Sequence, residues 1–295
     1  MQHFTHEPLS IAAVQLNSQQ DRRANLEVIT QAVADASAQG AQLVVLPENC
    51  CSMGAQSATA AQFDALSSTL AQLAAKHQVH LLAGTLPCPY RPDGTPVPDD
   101  RLRQVSQLFA PDGTQVARYD KIHLFQATVA DDTGSYNEAA TFEAGTQTVV
   151  APIRLDAGTY HVGMMVCFDL RFPALAQRLR QAGSDLLSAP SAFTYLTGQA
   201  HWSLLLRARA LDSQCMVIGA AQGGTHQYPS QAARQTWGHS AITRHDGTVA
   251  ADYAHSALTE VNAKQGYALI MASCDKGAQA SGRETLPIFN CHRLA

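Results

Sequence analysis

Residues 162–173 read VGMMVCFDLRFP, and the fold predicted from the sequence is built outward from this stretch. An apolar run leads into Cys167, charged residues follow, and Pro173 suits the first turn of a helix. Such a run with such boundaries is typical of a buried strand. Rigid backbone would hold a thiol at the turn from strand to helix, which makes Cys167 a candidate nucleophile. A buried structural cysteine is the simpler interpretation of this residue alone.

The patterns on both sides of this stretch alternate between strand and helix. Apolar residues recur at helical spacing after Leu26 and again after Phe63, and short apolar runs precede and follow both segments. Turn signals at 111–113 and 246–247 predict two hairpins. Strand–helix–strand–helix–strand therefore occurs twice, with a hairpin after each round. This order predicts an α/β domain whose helices cover two sheets packed face to face.

No composition shift divides the chain. The proline-rich segment 87–100 and the polar segment 120–145 are predicted to be long loops, and strand patterns resume after each of them. We expect a single domain over residues 1–295, with a core at about 9–275. The C-terminal tail, 276–295, is predicted to lie at an oligomer interface.

Composition excludes several classes of function. The net charge of −4 gives no electrostatic reason to expect nucleic acid or an anionic membrane as partner. No apolar run approaches the ~20 residues of a membrane span, and the N-terminus lacks the plan of a secretory signal. Seven cysteines are an odd number in a long chain, so we expect reduced thiols in the cytoplasm. The absence of CxxC and HExxH argues against a metal site.

Three charged residues are candidates for chemistry beside the thiol. Glu48 follows the predicted strand 43–46, where α/β folds commonly place their sites. Lys121 and Glu138 lie in the polar segment. Each alone is as well explained as a solvated charge. Because thiols titrate near ~8.5, however, a nucleophilic cysteine needs a base or a cation, which glutamate and lysine can supply.

Three short blocks carry a family resemblance. They are Leu46-Pro47-Glu48, YDKIHLF at 119–125 and CFDLRFP at 167–173. In this order they resemble the signature blocks of the nitrilase superfamily of carbon–nitrogen hydrolases, and the resemblance runs over about 9–293. It implies an αββα sandwich, in which two packed mixed sheets are flanked by helices. It also implies a small-molecule amide substrate, no cofactor, and a homodimer or larger homo-oligomer.

The same resemblance implies a role for each candidate. Cys167 would be the nucleophile, Glu48 the general base and acid, and Lys121 the residue that stabilises the oxyanion. Glu138 matches a second glutamate that orients the lysine and the substrate. The backbone N–H of Phe168 would complete the oxyanion site.

Residues 190–224 indicate a branch of the superfamily. PSAFT at 190–194, TGQAHW at 197–202 and AAQGG at 220–224 look most like deaminated glutathione amidases. Omega-amidases, which act on α-ketoglutaramate, are the nearest alternative. Gly223 and Gly224 are expected to let the backbone approach a dipeptide leaving group. The pocket-lining residues of this branch are matched by Arg171, Phe193, Thr197 and His123, and Arg171 would bind a substrate carboxylate as a bidentate fork.

Two residues depart from the family pattern, and the sequence leaves two other classes of protein open. Ala174 replaces a glutamate that commonly follows the RFP triplet, so Arg171 lacks one expected partner. Gln104 stands where many members of the family have asparagine.

A superfamily-like protein that binds a metabolite without turnover is one alternative. A Cys–His hydrolase is the other, although no papain-type or caspase-type signature surrounds Cys167.

Overall fold

Two β-sheets form the centre of the protein. The fold was obtained as a computed structural model that describes residues 7–131, 134–228, 232–255 and 266–293. The start of the N-terminal stretch and the last two residues of the predicted tail lie outside these ranges. In the described part of the chain the strands are β1 Leu9–Leu16, β2 Leu43–Val45, β3 His80–Leu82, β4 Leu86–Cys88, β5 Arg103–Phe109, β6 Gln115–Asp120, β7 Gln126–Thr128, β8 Ser135–Asn137, β9 Val150–Leu155, β10 Gly158–Met164, β11 Leu186–Ser188, β12 Met216–Gly219, β13 Gly223–His226, β14 Arg234–Trp237, β15 Ala241–Thr243, β16 Val249–Asp252 and β17 Tyr267–Cys274.

Helices cover the outer face of each sheet. Short 3-10 turns occur at Glu138–Ala140, Cys167–Arg171 and Tyr253–His255. The described α-helices are α1 Arg22–Ala38, α2 Gln56–Ala60, α3 Phe63–His77, α4 Pro173–Gln181, α5 Tyr195–Ser213, α6 Lys276–Thr285 and α7 Ile288–Cys291. None of them combines the length and the apolar composition that crossing a bilayer requires.

Both sheets are mixed. The first has the order β17-β1-β2-β3-β5-β4, with β6 paired to β5, and the second has the order β16-β15-β12-β11-β10-β9. β1, β2 and β3 are parallel to one another, as are β10, β11 and β12, whereas their outer neighbours pair antiparallel. Each parallel strand is connected to the next by a crossover that contains a helix. These helices are α1 and α3 in the first sheet and α4 and α5 in the second.

The layers are explained by alternation along the strands. In β1, Ile11 and Ala13 join the apolar core between the sheets, whereas Ala12 and Val14 pack with the helices outside. Successive strand residues point to opposite faces, so one strand with apolar residues throughout serves two cores. The predicted αββα sandwich of two packed mixed sheets flanked by helices is confirmed.

Several element boundaries differ from those predicted. Helix α5 begins at Tyr195 and not, as the sequence predicts, at His201. The Gly198 N–H donates a hydrogen bond to the Thr194 carbonyl oxygen and closes the first helical turn, although the apolar spacing starts later. The predicted loop at 120–145 contains the hairpin β7–β8. The hairpin β13–β14 is inserted between β12 and β15 of the second sheet and has no apolar alternation, which is why the sequence did not indicate it.

The C-terminal tail packs on its own chain. Asp275 caps α6 by accepting hydrogen bonds from the N–H groups of Gly277 and Ala278. Gln279 is buried, and Arg283 donates to the Gln214 carbonyl oxygen at 2.8 Å. These contacts hold the helix against the second sheet. Its predicted place at an oligomer interface stays a prediction.

Candidate active site

The thiol of Cys167 lies at a sharp turn at the carboxyl end of β10. The strand ends at Met164, and Cys167 begins a 3-10 turn with a φ of 49°, the left-handed region that non-glycine residues rarely adopt. Its N–H donates to the Pro190 carbonyl oxygen at 2.9 Å. Strain of this kind persists only when its surroundings hold it, and it is concentrated at functional sites.

Asp169 holds that turn in place, a role that the sequence did not assign. Its carboxylate is fully buried and accepts hydrogen bonds from the Val166 N–H at 2.8 Å and the Tyr119 hydroxyl at 2.7 Å. It also accepts one from the His123 N–H at 3.1 Å. The turn that carries Cys167 is thereby tied to the segment that carries Lys121. A buried carboxylate is stable only with such partners. An aspartate within an apolar stretch was therefore the feature of the sequence that could have indicated this structural role of Asp169.

Lys121 lies between two carboxylates. Its Nζ is 2.8 Å from Glu48 Oε1 and 2.8 Å from Glu138 Oε2, and its side chain has no exposed surface. Three residues separated by up to 90 positions in the sequence thus form one cluster, in which Lys121 and Glu48 are buried and Glu138 is partly exposed. Glu138 also accepts a hydrogen bond from the Phe125 N–H at 2.6 Å, which shapes the chain just after the lysine. The structure thus brings Lys121, Glu48 and Glu138 together, and their predicted joint action stays a prediction.

Close backbone packing fixes the position of Glu48. A Cβ on Gly84 would lie 1.9 Å from the Pro47 carbonyl oxygen, so only glycine fits beside this strand end. The buried side chain of Gln222 donates to the Glu48 carbonyl oxygen at 3.0 Å. Gln104, the second departure from the family pattern, donates from Nε2 to Asn49 Oδ1 at 2.8 Å. The longer side chain therefore supports the residue that follows the glutamate.

Burial and the nearby charges together raise the pKa of the Cys167 thiol. Burial is the main cause that raises the pKa of Cys167, and the negative charge of Glu48 raises it further, while Lys121 and the backbone of Ala192 act in the opposite direction. Burial disfavours the charged lysine, but Glu138 and Glu48 outweigh it and hold the Lys121 pKa well above its ordinary value. One cation between two carboxylates leaves a net negative cluster. Lys121 does lower the thiol pKa, but burial and Glu48 raise it by more. A base must therefore remove the thiol proton during attack.

The raised thiol pKa predicts how the free enzyme reacts with iodoacetamide. Only thiolate reacts, so alkylation of Cys167 at pH 7 is expected to be slower than that of a free thiol titrating near ~8.5. The rate should still rise between pH 9 and pH 10, because deprotonation of a group with a raised pKa is incomplete there. Mass spectrometry of the Cys167 peptide over a pH series measures this. A rate already constant from pH 6 would indicate a preformed thiolate, as in a Cys–His pair.

A small cavity opens at the thiol. It contains about 220 Å³ of empty space, including its open mouth, and brings together Cys167, Phe168, Arg171, Phe193 and Thr197, with Phe125, Ala192 and Thr194 completing its lining. The Arg171 guanidinium lies 5.2 Å from the centre of the Phe193 ring. Its NH1 is 3.3 Å from His201 Nδ1, and no carboxylate of the described residues pairs with it. This arginine is therefore available to an anionic ligand.

Two of the expected lining features lie elsewhere. His123 is not part of the cavity wall: its Nδ1 is 2.7 Å from Asp169 Oδ1, and its ring stacks on Phe172 at 3.6 Å. Gly223 and Gly224 do not line the cavity either. A Cβ on Gly223 would lie 2.8 Å from the Gly238 Cα, and one on Gly224 would meet Asn17. Their small size serves packing between chain segments and not the approach of a leaving group.

The alternatives to a Glu–Lys–Cys arrangement find no support in the contacts of the thiol. Across the described ranges, no histidine hydrogen-bonds Cys167, and His123, which belongs to the second sequence block, is held by Asp169. The described residues contain no cluster of three or more His, Cys, Asp or Glu side chains suited to a metal ion.

Trp202 is a core aromatic residue, 2% exposed, whose Nε1 donates a hydrogen bond to the His239 carbonyl oxygen.

Known proteins resemble this chain over most of its length. A family model described as carbon-nitrogen hydrolase matches residues 10–280. A deaminated glutathione amidase from Yersinia enterocolitica is 38% identical over 240 residues, which is 78% of this chain and 78% of that protein. The crystal structure of C. elegans NitFhit superposes with a TM-score of 0.80 at 30% identity, over 97% of this chain and 65% of that one.

A second solved structure agrees with the first. Saccharomyces cerevisiae Nit3, described as a member of branch 10 of the nitrilase superfamily, superposes with a TM-score of 0.73 at 26% identity, over 96% of each chain. The three sequence blocks, the αββα sandwich and the family model lead to the same assignment. The chain belongs to the carbon–nitrogen hydrolase family, within the nitrilase superfamily.

Proposed function

We propose that this protein is an amidase that hydrolyses a carbon–nitrogen amide bond through a thioester on Cys167. The observation that carries the proposal is the cluster of the buried Lys121 with Glu48 and Glu138, whose charges act on the thiol. A lysine enclosed by two carboxylates is costly to bury, and it serves no evident packing purpose. A cation of this kind would stabilise the negative charge that develops during acyl transfer.

The first half of the reaction forms the thioester. Glu48 removes the proton of the Cys167 thiol as the sulfur attacks the amide carbonyl carbon. The carbonyl oxygen becomes an oxyanion, which Lys121 Nζ and the backbone N–H of Phe168 stabilise. Glu48 then gives its proton to the amide nitrogen, the carbon–nitrogen bond breaks, and the amine leaves. One carboxyl group acts as base and then as acid, as a thiol with a raised pKa requires.

The second half returns the enzyme to its starting state. Water enters the position of the departed amine and loses a proton to Glu48 as it attacks the thioester carbonyl. The oxyanion is stabilised as before. Cleavage of the carbon–sulfur bond releases the acid, and Glu48 returns the proton to the sulfur. A quench of the enzyme during turnover should therefore trap a protein whose mass has increased by one acyl group on Cys167.

Deaminated glutathione is the proposed substrate, with α-ketoglutarate and cysteinylglycine as products. Arg171 on the cavity wall suits the keto-acid carboxylate, since it has no carboxylate partner and lies beside the nucleophile. The relative from Yersinia enterocolitica carries the same activity in its name. An omega-amidase that acts on α-ketoglutaramate is the second candidate, because it would use the same keto-acid end.

Side-by-side kinetics separate these two candidates. For the purified enzyme, kcat/KM for deaminated glutathione is expected to exceed that for α-ketoglutaramate by at least about tenfold, or ~1.4 kcal/mol of differential transition-state binding. The physical reason is the additional contact made by a dipeptide leaving group, which ammonia cannot make. Release of α-ketoglutarate is followed for both substrates with one coupled assay. Equal or reversed preference would assign the chain to the omega-amidases and leave the amidase chemistry intact.

A reducing compartment such as the cytoplasm is part of the proposal. All seven cysteines lie in the described part of the chain, none is in a disulfide, and six are buried. Assembly into a homodimer or larger homo-oligomer is proposed as well, on the family resemblance.

A further inference from the structure

A second cavity adjoins the one at the thiol. It contains about 580 Å³ of empty space, including its open mouth, and lies between the β7–β8 hairpin, the start of α5 and the start of β14. Its wall includes Tyr136, Tyr195, Leu196 and Arg234. None of these residues lines the thiol cavity. The mechanism above therefore leaves this space and its arginine without a use.

Ala192 connects this arginine to the nucleophile. Arg234 NH2 donates to the Ala192 carbonyl oxygen at 2.7 Å. The backbone of the same alanine acts on the Cys167 thiol, and Ala192 also lines the thiol cavity. The two cavities share a second boundary, because the Tyr136 ring packs at 5.3 Å on Phe125, which lines the thiol cavity. A ligand extending from the thiol past these residues would reach Arg234.

The guanidinium of Arg234 is only partly satisfied. Its Nε is buried and has no hydrogen-bond partner, and none of the described carboxylates lies within ion-pair distance of it. The ring of Tyr136 lies against one face, with its centroid 5.4 Å from the Arg234 Cζ. Asp131 also lines the cavity, but its oxygens accept hydrogen bonds from the Gly134 N–H and the Tyr136 hydroxyl at 2.9 Å each. The cavity thus has a cation that is held in position by the Ala192 carbonyl oxygen and the Tyr136 ring.

The other walls suit a short peptide-like ligand. Tyr195 and Leu196 expose 42% of their surfaces each at this place, so they offer apolar contact to a ligand side chain. They are also the first two residues of α5, whose N-cap Thr194 does not cap the backbone N–H groups with its side chain; its hydroxyl lies 2.8 Å from the Thr197 hydroxyl instead. The partial positive charge of that helix end adds to the charge of Arg234. A carboxylate attached to a small, partly apolar group matches this combination.

We propose that Arg234 binds the carboxylate of the leaving amine and so makes the enzyme prefer amides whose nitrogen carries an amino acid or dipeptide. This inference rests on the proposed function and deepens it. Arg171 and Arg234 then hold the two anionic ends of one substrate, with the scissile amide between them at Cys167. Arg234 is a specificity-determining residue, since it takes no part in the proton transfers.

The test compares two substrates that differ in one group. Deaminated glutathione is paired with its analogue in which the glycine carboxylate is a carboxamide. The wild-type enzyme is expected to prefer the acid by at least about tenfold in kcat/KM, because a charge-assisted hydrogen bond is lost in the amide. Equal kcat/KM for both would overturn the inference while leaving the proposed function in place. No turnover of either, with α-ketoglutaramate hydrolysed, would overturn the proposed substrate and the inference with it.

Two variants locate the preference at Arg234. In Arg234→Gln the ratio of acid to carboxamide should fall towards one, and Arg234→Lys should restore part of it, since the charge is kept but not the fork. Arg23→Gln changes the net charge equally on the exposed face of α1 and should keep the wild-type ratio. A loss on α-ketoglutaramate as large as that on deaminated glutathione would show that Arg234 only positions Ala192, and would contradict the proposal.

Discussion

Cys167→Ala is expected to reduce amide hydrolysis to background while the protein stays folded. The variant removes the sulfur on which the proposed thioester forms, so the proposed pathway through this site is lost. Folding should be little affected, with a loss of about 1 kcal/mol in the free energy of unfolding. Alanine also has a Cβ, so the backbone strain at a φ of 49° is the same in both proteins. Initial rates and a urea unfolding curve on the same sample measure the two effects.

Cys215→Ala is the matched control. Cys215 is a fully buried cysteine in the same apolar core, and its Sγ contacts the Ser184 carbonyl oxygen at 3.1 Å. Burial raises its pKa to about 11, so it is an inert thiol at neutral pH. This variant should lose a comparable amount of stability and keep its activity. The opposite pattern, an active Cys167→Ala enzyme, would make Cys167 the structural cysteine and reject it as the nucleophile.

Lys121→Met is expected to lower kcat by about 10²–10³ and to destabilise the protein as well. The rate falls because an oxyanion donor is lost, for which this is the usual magnitude. Stability falls because Glu48 and Glu138 lose the cation that lies 2.8 Å from each of them. Breaking a buried ion pair in this way typically costs about 3–5 kcal/mol. Methionine preserves the length of the side chain, so packing alone does not account for either change.

The exposed Lys76 provides the comparison for this variant. Lys76→Met, in the last turn of α3, removes the same charge at the surface and should change neither kcat nor the unfolding midpoint appreciably. Single-turnover measurements with both proteins separate a slower chemical step from weaker substrate binding. A Lys121→Met enzyme within a few-fold of the wild-type rate would mean that the lysine only neutralises the two glutamates.

Periodicity in the sequence was sufficient for most of the architecture. The apolar spacing after Leu26 and Phe63 predicts α1 and α3, and the apolar runs predict the central strands, because both signals depend on local geometry. The start of α5 and the hairpin β13–β14 were not predicted. Their residues are fixed by contacts such as the bridge between Thr194 and Thr236, which joins distant parts of the chain and leaves no local pattern.

What the sequence by itself determined is the chemistry: three short blocks identify Cys167, Glu48 and Lys121 as candidates, since each block keeps its residue types at fixed spacing. Only the tertiary structure decided how these groups affect one another. Burial and the Glu48 carboxylate raise the pKa of the Cys167 thiol, and a buried Asp169 ties two of the blocks together. The electrostatic energy of a charged group depends on its distances to other charges and on its burial, and neither quantity is encoded locally in the chain.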